Sequence, residues 1–239
     1  MSKTNKAKIV IVMPAYNAEK TLKKTYEDIP KFLKKNIILI DDASHDKTVQ
    51  KARRLGINTV VHPQNRGYGG NQKTCYTMAM SEGADIVVMI HPDYQYDSSL
   101  TGEMVKTILT GRNDIVLGSR IRTREEALDG GMPLYKYLAN RLLTLIENIV
   151  LGQNLSEYHT GFRAFRADVF KNIPFHKFSD DFVFDQEILI VAIKKGYKLG
   201  EIPVPVRYFP DASSINFRRS LKYGLSTLVM LIKYSIYKP

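Results

Sequence analysis

Three polar side chains that directly follow one apolar stretch could hold a metal ion. Residues 86–90 are all apolar, which predicts a buried strand, and His91, Asp93 and Gln95 come after it. Open parallel sheets bind ligands at the carboxyl ends of their strands, so we expect these side chains to face a crevice. One carboxylate and one amide oxygen suit Mg2+ or Mn2+ bridging substrate phosphates. Taken alone, the same residues also fit an ordinary turn after a strand, where Pro and Asp are common.

Alternating strand and helix patterns must position these groups. Apolar runs predict strands at residues 8–13, 37–40, 59–61, 86–90 and 115–117, and helical spacing predicts helices at 18–32, 48–55, 71–80 and 98–110. This alternation predicts an α/β fold with a mainly parallel sheet flanked by helices. Right-handed crossovers bring the carboxyl ends of the strands to one edge. That edge would carry residues 14–17, Asp41 and Asp42, the glycine-rich loop 67–70, and residues 91–96.

The pattern changes after Arg120. The remaining elements are expected to be a mobile charged loop at 122–131, a long helix at 134–151, a short helix at 167–171, a helix at 184–195 and an extended segment at 199–208. Pro203 and Pro205 limit that last segment to the edge of a sheet or to a bulged position. We find no linker composition, which predicts a single domain over residues 1–239.

The charge balance favours anionic partners. The 239 residues carry a formal net charge of +11, which suits nucleic acid, phosphorylated small molecules or an anionic membrane, although general solubility is a simpler reason for it. The chain contains a single cysteine, so no intrachain disulfide can form, and a reducing compartment fits. The sequence has no run of 18 apolar residues and no signal-peptide pattern at its start, which predicts a cytoplasmic protein without a transmembrane helix.

Six motifs in a fixed order resemble the family 2 glycosyltransferases. They are Ile-Val-Met-Pro-Ala-Tyr-Asn at 11–17, Ile-Asp-Asp-Ala-Ser-His-Asp-Lys-Thr at 40–48, Asn-Arg-Gly-Tyr-Gly at 65–69, Gly-Ser-Arg at 118–120, His-Thr-Gly-Phe-Arg at 159–163 and Phe-Asp-Gln-Glu at 184–187. The last three are similar to the branch that makes polyprenyl-phosphate sugars, typified by dolichol-phosphate mannose synthase. The resemblance covers roughly residues 8–230. It implies a GT-A-like (Rossmann-like) domain that transfers a sugar from a nucleotide diphosphate with inversion.

The resemblance also divides the chain and places the donor. Residues 8–120 would form the nucleotide-sugar-binding half, 121–210 the acceptor side, and 211–239 a basic amphipathic helix. The residues that it places beside a UDP- or GDP-sugar are Pro14, Ala15, Tyr16, Asn17, Glu19, Asp41, Asp42, Ser44, Gly67 and Gly70. An acid at 41 or 42 can accept hydrogen bonds from the base and the ribose, and the glycines would let backbone approach a ligand. Helix capping by the polar residues and a tight turn at the glycines are equally physical interpretations.

The metal motif departs from the family pattern. Family members usually carry Asp-x-Asp-x-Gln, and His91 stands here in place of the first acid. A neutral imidazole can bind Mn2+ but suits Mg2+ poorly. We therefore expect a divalent cation, Mg2+ or Mn2+, held by His91, Asp93 and Gln95, and its identity stays open. Asp93 and Gln95 with the donor phosphates are the alternative ligand set.

Arginines and two hydroxyl residues are expected to contact the substrates. The resemblance places Arg120, Arg141 and Arg207 near the acceptor phosphate and the donor pyrophosphate, because guanidinium groups match phosphate oxygens. Thr160 and Ser214 join this predicted substrate-binding set. Each arginine, taken singly, also fits an ordinary surface position.

Acids near residue 185 complete the predicted catalytic set, which comprises Asp93, Arg120, Asp185 and Glu187. When the acceptor is a hydroxyl, an acid in this region removes its proton. A lipid phosphate is already anionic and needs no base, so the acids would then orient the sugar or the metal. Acids are also common at the start of a helix for electrostatic reasons alone.

The end of the chain favours a membrane surface. Arg218 and Arg219 precede an apolar run at 228–232, a pattern typical of an interfacial amphipathic helix, although a helix packed in the core is possible. The predicted partners are thus a nucleotide sugar, a polyprenyl phosphate and an anionic membrane at its inner face. Transfer to a sugar hydroxyl and a nucleotide-sugar-binding protein without turnover are the alternatives. A nucleic-acid partner is not expected, because no known binding module is present.

Overall fold

The fold is known from a computed structural model that describes residues 7–205, 207 and 217–236. The strands are β1 Ile9–Ala15, β2 Ile37–Asp41, β3 Asn58–Val61, β4 Ile86–Met89, β5 Ile115–Ser119, β6 Arg163–Arg166 and β7 Leu199–Pro203. The α-helices are α1 Leu22–Asp28, α2 Thr48–Arg54, α3 Gly67–Ser81, α4 Thr101–Leu109, α5 Arg124–Asp129, α6 Leu134–Leu151, α7 Asp168–Asn172, α8 Phe184–Lys194 and α9 Phe217–Ile236. Short 3-10 helices span Lys31–Asn36, Ser98–Leu100 and Phe175–Lys177.

One seven-stranded sheet organises the domain, in the order β3-β2-β1-β4-β6-β5-β7. Strand β6 runs antiparallel to both of its neighbours, and all the other strand pairs are parallel. The predicted α/β fold with a mainly parallel sheet is therefore confirmed. The reversal at β6 was not predicted, because four residues carry no signal of strand direction.

Two hydrophobic cores cover the two faces of the sheet. Side chains alternate along a strand, so Val10 and Val12 join one core while Ile11 and Met13 join the other. All four are at most 1% exposed. Burial on both faces explains why the central strands are uninterrupted apolar runs, and it fixes where their carboxyl ends emerge.

Two predicted loops are helical. The charged segment 122–131 contains α5, because Thr123 caps it by accepting a hydrogen bond from the Glu126 backbone N–H at 3.1 Å. The glycine-rich loop at 67–70 is the first turn of α3. Its amides are held by Asp42, which accepts hydrogen bonds from the backbone N–H groups of Arg66 at 2.8 Å and Gly67 at 3.1 Å. A side chain distant in sequence therefore starts α3, which local propensity could not reveal.

The edge where the strands end is strained. Asn17, Ala43 and Tyr94 adopt left-handed backbone with φ of 51°, 61° and 62°. They follow β1, β2 and β4, which are three adjacent strands in the parallel part of the sheet. Such backbone costs on the order of 1–3 kcal/mol per residue and concentrates at functional sites.

The last helix lies on the domain. Helix α9 packs against α6 and α8, and it buries Thr227 and Leu231. The predicted amphipathic helix is therefore present from residue 217, whereas residues 211–216, including Ser214, lie outside the described residues. Among the helices that the structure describes, none combines the length and the apolar character that crossing a membrane requires.

The glycines at the start of α3 allow a close contact between two segments of the chain. A Cβ at Gly69 would lie 2.5 Å from the Ser179 carbonyl oxygen and 2.9 Å from Phe184 Cβ. The Gly69 N–H donates to the Asp180 carbonyl at 2.8 Å. The backbone that these glycines approach is thus residues 179–180.

Gly69→Ala is expected to lower the free energy of unfolding by about 1–3 kcal/mol, because the new methyl group overlaps the backbone of residues 179–180. Gly102→Ala is the matched control in α4, where the nearest atom to a new Cβ, Phe32 Cζ, lies 3.6 Å away. The control should raise stability by about 0.4–1 kcal/mol. Urea unfolding of both variants measures the difference, and equal midpoints would contradict the packing described.

Candidate active site

A cavity of about 480 Å3 lies at the carboxyl ends of the strands and continues between α6 and α9. One end is polar and is lined by His91, Asp93, Gln95, Arg120 and Asp185. The other end is apolar and is lined by Leu142, Leu143, Leu221, Leu225 and Leu228. The cavity can therefore take a ligand that is charged at one end and apolar at the other.

The Asp93 carboxyl has a raised pKa. Burial withdraws it from water and raises its pKa to about 7, although it accepts a hydrogen bond from the Gln95 backbone N–H at 3.0 Å. The hydrogen bond offsets only part of the cost of burying the charged carboxylate. A bound cation would therefore restore the carboxyl to its ionised form. Asp93 thus has the chemistry expected of a metal ligand.

His91 is a neutral imidazole. Burial lowers its pKa to about 4, in spite of the nearby Asp185. Its Nε2 atom lies 3.2 Å from the Tyr68 hydroxyl, and the two rings are stacked with centroids 5.4 Å apart. A neutral imidazole, a carboxylate and an amide form a donor set that fits Mn2+ better than Mg2+.

The described residues hold no cluster of three or more His, Cys, Asp or Glu side chains arranged to bind a metal. A cation here would depend on His91, Asp93 and Gln95, with substrate phosphates completing its coordination. The residues present fit such an ion, and its presence stays a prediction.

Arg120 faces the cavity with a fixed counter-ion. Its Nε donates to Glu157 Oε1 at 2.9 Å, and its backbone N–H donates to Oε2 at 2.7 Å. Burial alone would raise the pKa of Glu157, but the charge of Arg120 and the hydrogen bonds from Arg120 and Asn140 together outweigh burial and lower it. Asn140 Nδ2 donates to the same carboxylate at 2.8 Å. Arg120 is therefore held rigidly at the wall of the cavity.

The acids predicted near residue 185 face different cavities. Asp185 lines the main cavity and accepts a hydrogen bond from the Tyr68 hydroxyl at 2.7 Å. Glu187 lines a second cavity between α8 and α9, where it accepts from the Ser179 backbone N–H at 2.6 Å. The geometry thus separates Glu187 from His91 and Asp93, and the catalytic role predicted for it has no support from this placement.

On the donor side, Asp41 and Asp42 differ. Asp42 accepts from His62 Nδ1 at 2.8 Å in addition to the two amides at the start of α3, so both of its carboxylate oxygens have partners within the protein. Asp41 accepts from the Ser44 backbone N–H at 2.8 Å, and its Oδ1 is buried without a hydrogen-bond partner among the described residues. Asp41 is therefore the acid with capacity for a ligand.

Several residues that are predicted to bind the nucleotide sugar form contacts between loops. The Asn17 N–H donates to Ser44 Oγ at 2.8 Å, and Asn17 Oδ1 accepts from the His45 N–H at 2.9 Å. Glu19 Oε2 accepts from the Lys47 N–H at 3.2 Å. Pro14 and Ala15 end β1, and Tyr16 follows them with 51% of its surface exposed. The exposed ring of Tyr16 is thus available to a planar ligand.

The other predicted substrate-binding residues are spread out. Thr160 lines the cavity and donates to the Gly118 carbonyl at 2.6 Å. Arg141 is exposed and donates to the Ser156 carbonyl at 2.8 Å. Arg207 lies 3.6 Å from Asp28 and 4.6 Å from the centre of the Tyr94 ring. Of these three residues, Thr160 is the one brought to the cavity.

The family follows from the sequence as a whole. The sequence model described as Glycosyl transferase family 2 matches residues 10–174. This chain belongs to the family 2 glycosyltransferases. The resemblance seen in its motifs is therefore confirmed, and the chain is a glycosyltransferase.

Relatives of this glycosyltransferase span most of its length. An uncharacterised protein of Methanocaldococcus jannaschii is 32% identical over 237 residues, covering 99% of this chain and 96% of the relative. A UDP-N-acetylglucosamine–dolichyl-phosphate N-acetylglucosaminyltransferase of Methanococcus voltae is 28% identical, covering 84% of this chain and 86% of the relative.

A similar solved structure establishes the fold. Glucosyl-3-phosphoglycerate synthase of Mycobacterium tuberculosis, in complex with Mn2+, UDP and phosphoglyceric acid, has a TM-score of 0.74 at 16% identity, covering 96% of this chain and 79% of that protein. The predicted GT-A-like fold is confirmed by this likeness.

Several cavity residues of the glycosyltransferase were given no role at the sequence level, namely Tyr68, Lys136, Asn140, His159, Arg163 and Tyr223, although Tyr68, His159 and Arg163 stand in the family motifs. The pKa of Lys136 is lowered by burial and by the nearby Arg120. Two cations facing one cavity favour an anionic ligand between them. A lysine two residues into a helix has no sequence pattern that could have revealed this.

His91→Asp is expected to strengthen Mg2+ binding about tenfold in the presence of UDP or GDP, because a second carboxylate suits a hard cation. Asp93→Ala should remove metal-dependent nucleotide binding. Asp97→Ala is the matched control, since Asp97 instead caps a 3-10 helix by accepting from the Ser99 N–H at 3.1 Å. Calorimetry with Mg2+ and Mn2+ decides, and Mg2+ affinity unchanged in His91→Asp would exclude His91 from the ligand set.

Proposed function

We propose that this glycosyltransferase moves a sugar from a nucleotide diphosphate to a polyprenyl phosphate, with inversion at the anomeric carbon. The observation that carries the proposal is the cavity, whose polar end holds Asp93 and Arg120 and whose apolar end is lined by leucines of α6 and α9. A polyprenyl phosphate has the same division between an anionic head and an apolar chain.

Named relatives support this acceptor. The Methanococcus voltae relative is named for transfer from UDP-N-acetylglucosamine to dolichyl phosphate. A dolichyl-phosphate hexose transferase of Haloferax volcanii is 24% identical, covering 83% of this chain and 82% of the relative.

The two substrates occupy different halves of the chain in this proposal. The donor lies against residues 8–120, with Tyr16 and Asp41 contacting the nucleoside. The acceptor phosphate lies against residues 121–210 near Arg120 and Lys136, and its prenyl chain continues between α6 and α9. Arg120 and Lys136 line the same cavity, and burial and the charge of Arg120 lower the pKa of Lys136, which supports an anion at this position.

The reaction needs no general base with this acceptor. A phosphate oxygen forms a bond to the anomeric carbon while the bond from that carbon to the nucleotide diphosphate breaks, and its electron pair leaves with the diphosphate. A divalent cation at Asp93 would neutralise charge on the leaving group when bound. Arg120 holds fixed positive charge at the cavity wall, and Asp185 orients the sugar.

A hydroxyl acceptor is the second candidate, and one observation favours it. Asp185 Oδ1 is buried without a hydrogen-bond partner among the described residues, although Arg163 Nη1 lies 3.5 Å away. A carboxylate oxygen with spare capacity is what proton removal from a hydroxyl requires. The leucine-lined end of the cavity has no use in that reaction, so we prefer the lipid acceptor.

Two helices provide a surface for the membrane in this proposal. Leu138, Leu142, Leu145 and Ile149 of α6 are 56–73% exposed, and Leu221, Leu225, Val229 and Ile232 of α9 are 56–62% exposed. Leu142, Leu221 and Leu225 also line the cavity, so both apolar stripes reach its opening. With basic residues on the same helices, this surface suits the anionic inner face of a membrane.

Transfer should be observed when the purified protein is given UDP- and GDP-sugars and a short polyprenyl phosphate. The expected product is the polyprenyl phosphate sugar with inverted anomeric configuration, detected by mass spectrometry and NMR, with release of the nucleotide diphosphate. The matched acceptor control is the polyprenol without its phosphate. Glycosylation of the polyprenol or of a sugar, in place of the phosphate, would make the hydroxyl acceptor correct.

Leu145→Glu is expected to weaken binding to phosphatidylglycerol vesicles about tenfold, because it places a charge in the apolar stripe of α6. Leu109→Glu is the control: Leu109 is 58% exposed on α4, and Leu145 is 56% exposed. Flotation measures both. Wild-type binding should also fall as salt rises, since surface attraction decays over about 8 Å at physiological ionic strength. Flotation unaffected by Leu145→Glu would remove α6 from the membrane surface.

A further inference from the structure

One tyrosine hydroxyl joins the metal motif to the acid of α8. The Tyr68 hydroxyl lies 2.7 Å from Asp185 Oδ2 and 3.2 Å from His91 Nε2. Its ring stacks on His91 and packs against Phe182, with centroids 4.5 Å apart in the second pair. These contacts fix the position of the hydroxyl between the two groups.

We propose that Tyr68 is a positioning residue, whose hydroxyl orients the Asp185 carboxylate and fixes the tautomer of His91. The inference rests on the proposed glycosyl transfer for its effect on rate, but not for its effect on His91. Tyr68 is the second residue of α3 and stands in the Asn-Arg-Gly-Tyr-Gly motif. The proposal gives it a specific role that the resemblance to the family does not supply.

The tautomer follows from counting protons. A hydroxyl has one proton to donate, and an ionised carboxylate can only accept, so the Tyr68 proton is committed to Asp185. The contact at 3.2 Å then requires His91 Nε2 to donate to the hydroxyl oxygen. The lone pair of the imidazole is therefore on Nδ1.

Packing encloses the same edge of the imidazole. A Cβ at Gly161 would lie 2.6 Å from His91 Cδ2 and 3.0 Å from Nε2. Gly161 and Tyr68 together therefore cover the Cδ2–Nε2 edge, and Nδ1 is the nitrogen through which His91 can bind a cation. In this chain Tyr68 thus determines which nitrogen of His91, the residue that replaces the first acid, can bind a cation.

The segment that carries Tyr68 also contacts Asp42, on the side of the chain that is predicted to bind the nucleotide sugar. The N–H of Gly67 donates to Asp42, and the N–H of Gly69 donates to the Asp180 carbonyl at 2.8 Å. Tyr68 lies between these two anchored residues, so its hydroxyl is held by backbone that is fixed at both ends. A rigid support of this kind is what precise placement of Asp185 requires.

Tyr68→Phe tests the proposal because it keeps the ring and removes the hydroxyl. The kcat for sugar transfer should fall about tenfold, with the KM for the nucleotide sugar within about twofold of wild type, because the lost hydrogen bond is to a charged group and not to the donor. Tyr76→Phe is the matched control on α3, where the hydroxyl donates to Gln72 at 3.1 Å. Equal kcat values in the two variants would overturn the role in catalysis.

Nitrogen-15 NMR of histidine-labelled protein gives a readout that does not depend on activity. The His91 signals are assigned by their loss in His91→Gln, and wild type should show a proton on Nε2 and a lone pair on Nδ1. Tyr68→Phe should produce a mixture of tautomers, whereas Tyr76→Phe should not.

An Nδ1-protonated His91 in wild type would overturn the proposal, even if Tyr68→Phe failed to fold. Failure of wild type to transfer sugar to any acceptor, together with the predicted tautomer, would instead contradict the proposed function alone.

Discussion

A buried positive charge at Arg163 fixes the geometry on which the cavity depends. The side chain is 1% exposed, and its guanidinium donates to the carbonyls of Thr160 at 2.6 Å, Asp185 at 3.0 Å and Tyr158 at 3.1 Å. A buried charge without such partners costs several kcal/mol, so the backbone around it has little freedom. Because those carbonyls belong to the segment before β6 and to the start of α8, one side chain sets both walls of the cavity.

Polar contacts likewise attach α9, which borders the apolar end of the cavity, to the rest of the domain. The Tyr223 hydroxyl of α9 lies 2.8 Å from His159 Nδ1 and 2.7 Å from Gln186 Nε2. On its other side, His159 Nε2 lies 3.1 Å from the fully buried Glu147 of α6. The two helices with exposed apolar stripes are thus linked through the interior to the residue beside Asp185. The surface proposed for lipid and the cavity belong to one packed unit.

The sequence predicted the elements that depend on local patterns, and it missed those that depend on distant contacts. Buried apolar runs and helical spacing identified the parallel strands and the bounds of α6. The turn after β4 and its cavity-facing residues were also predictable, because strand ends share one edge. Helix α3 begins at Gly67 through the carboxylate of Asp42, and β6 runs antiparallel between two strands distant in sequence, so neither leaves a local signal. Lys136 was missed for the same reason, whereas Tyr68 and Arg163 stand in family motifs whose contacts with distant residues could not be predicted.

The left-handed backbone at Asn17, Ala43 and Tyr94 has a consequence for how this protein can be altered. Glycine adopts such backbone at no steric cost, so the chain retains three side chains where a more stable sequence is available. Ala43 has no polar group to offer a ligand, so its replacement by glycine would relieve the left-handed backbone and leave the functional groups intact, while the greater freedom of glycine in the unfolded chain opposes that gain. Asn17 and Tyr94 are different, because their side chains carry contacts between loops. The three residues at this edge of the sheet are therefore not equally open to engineering.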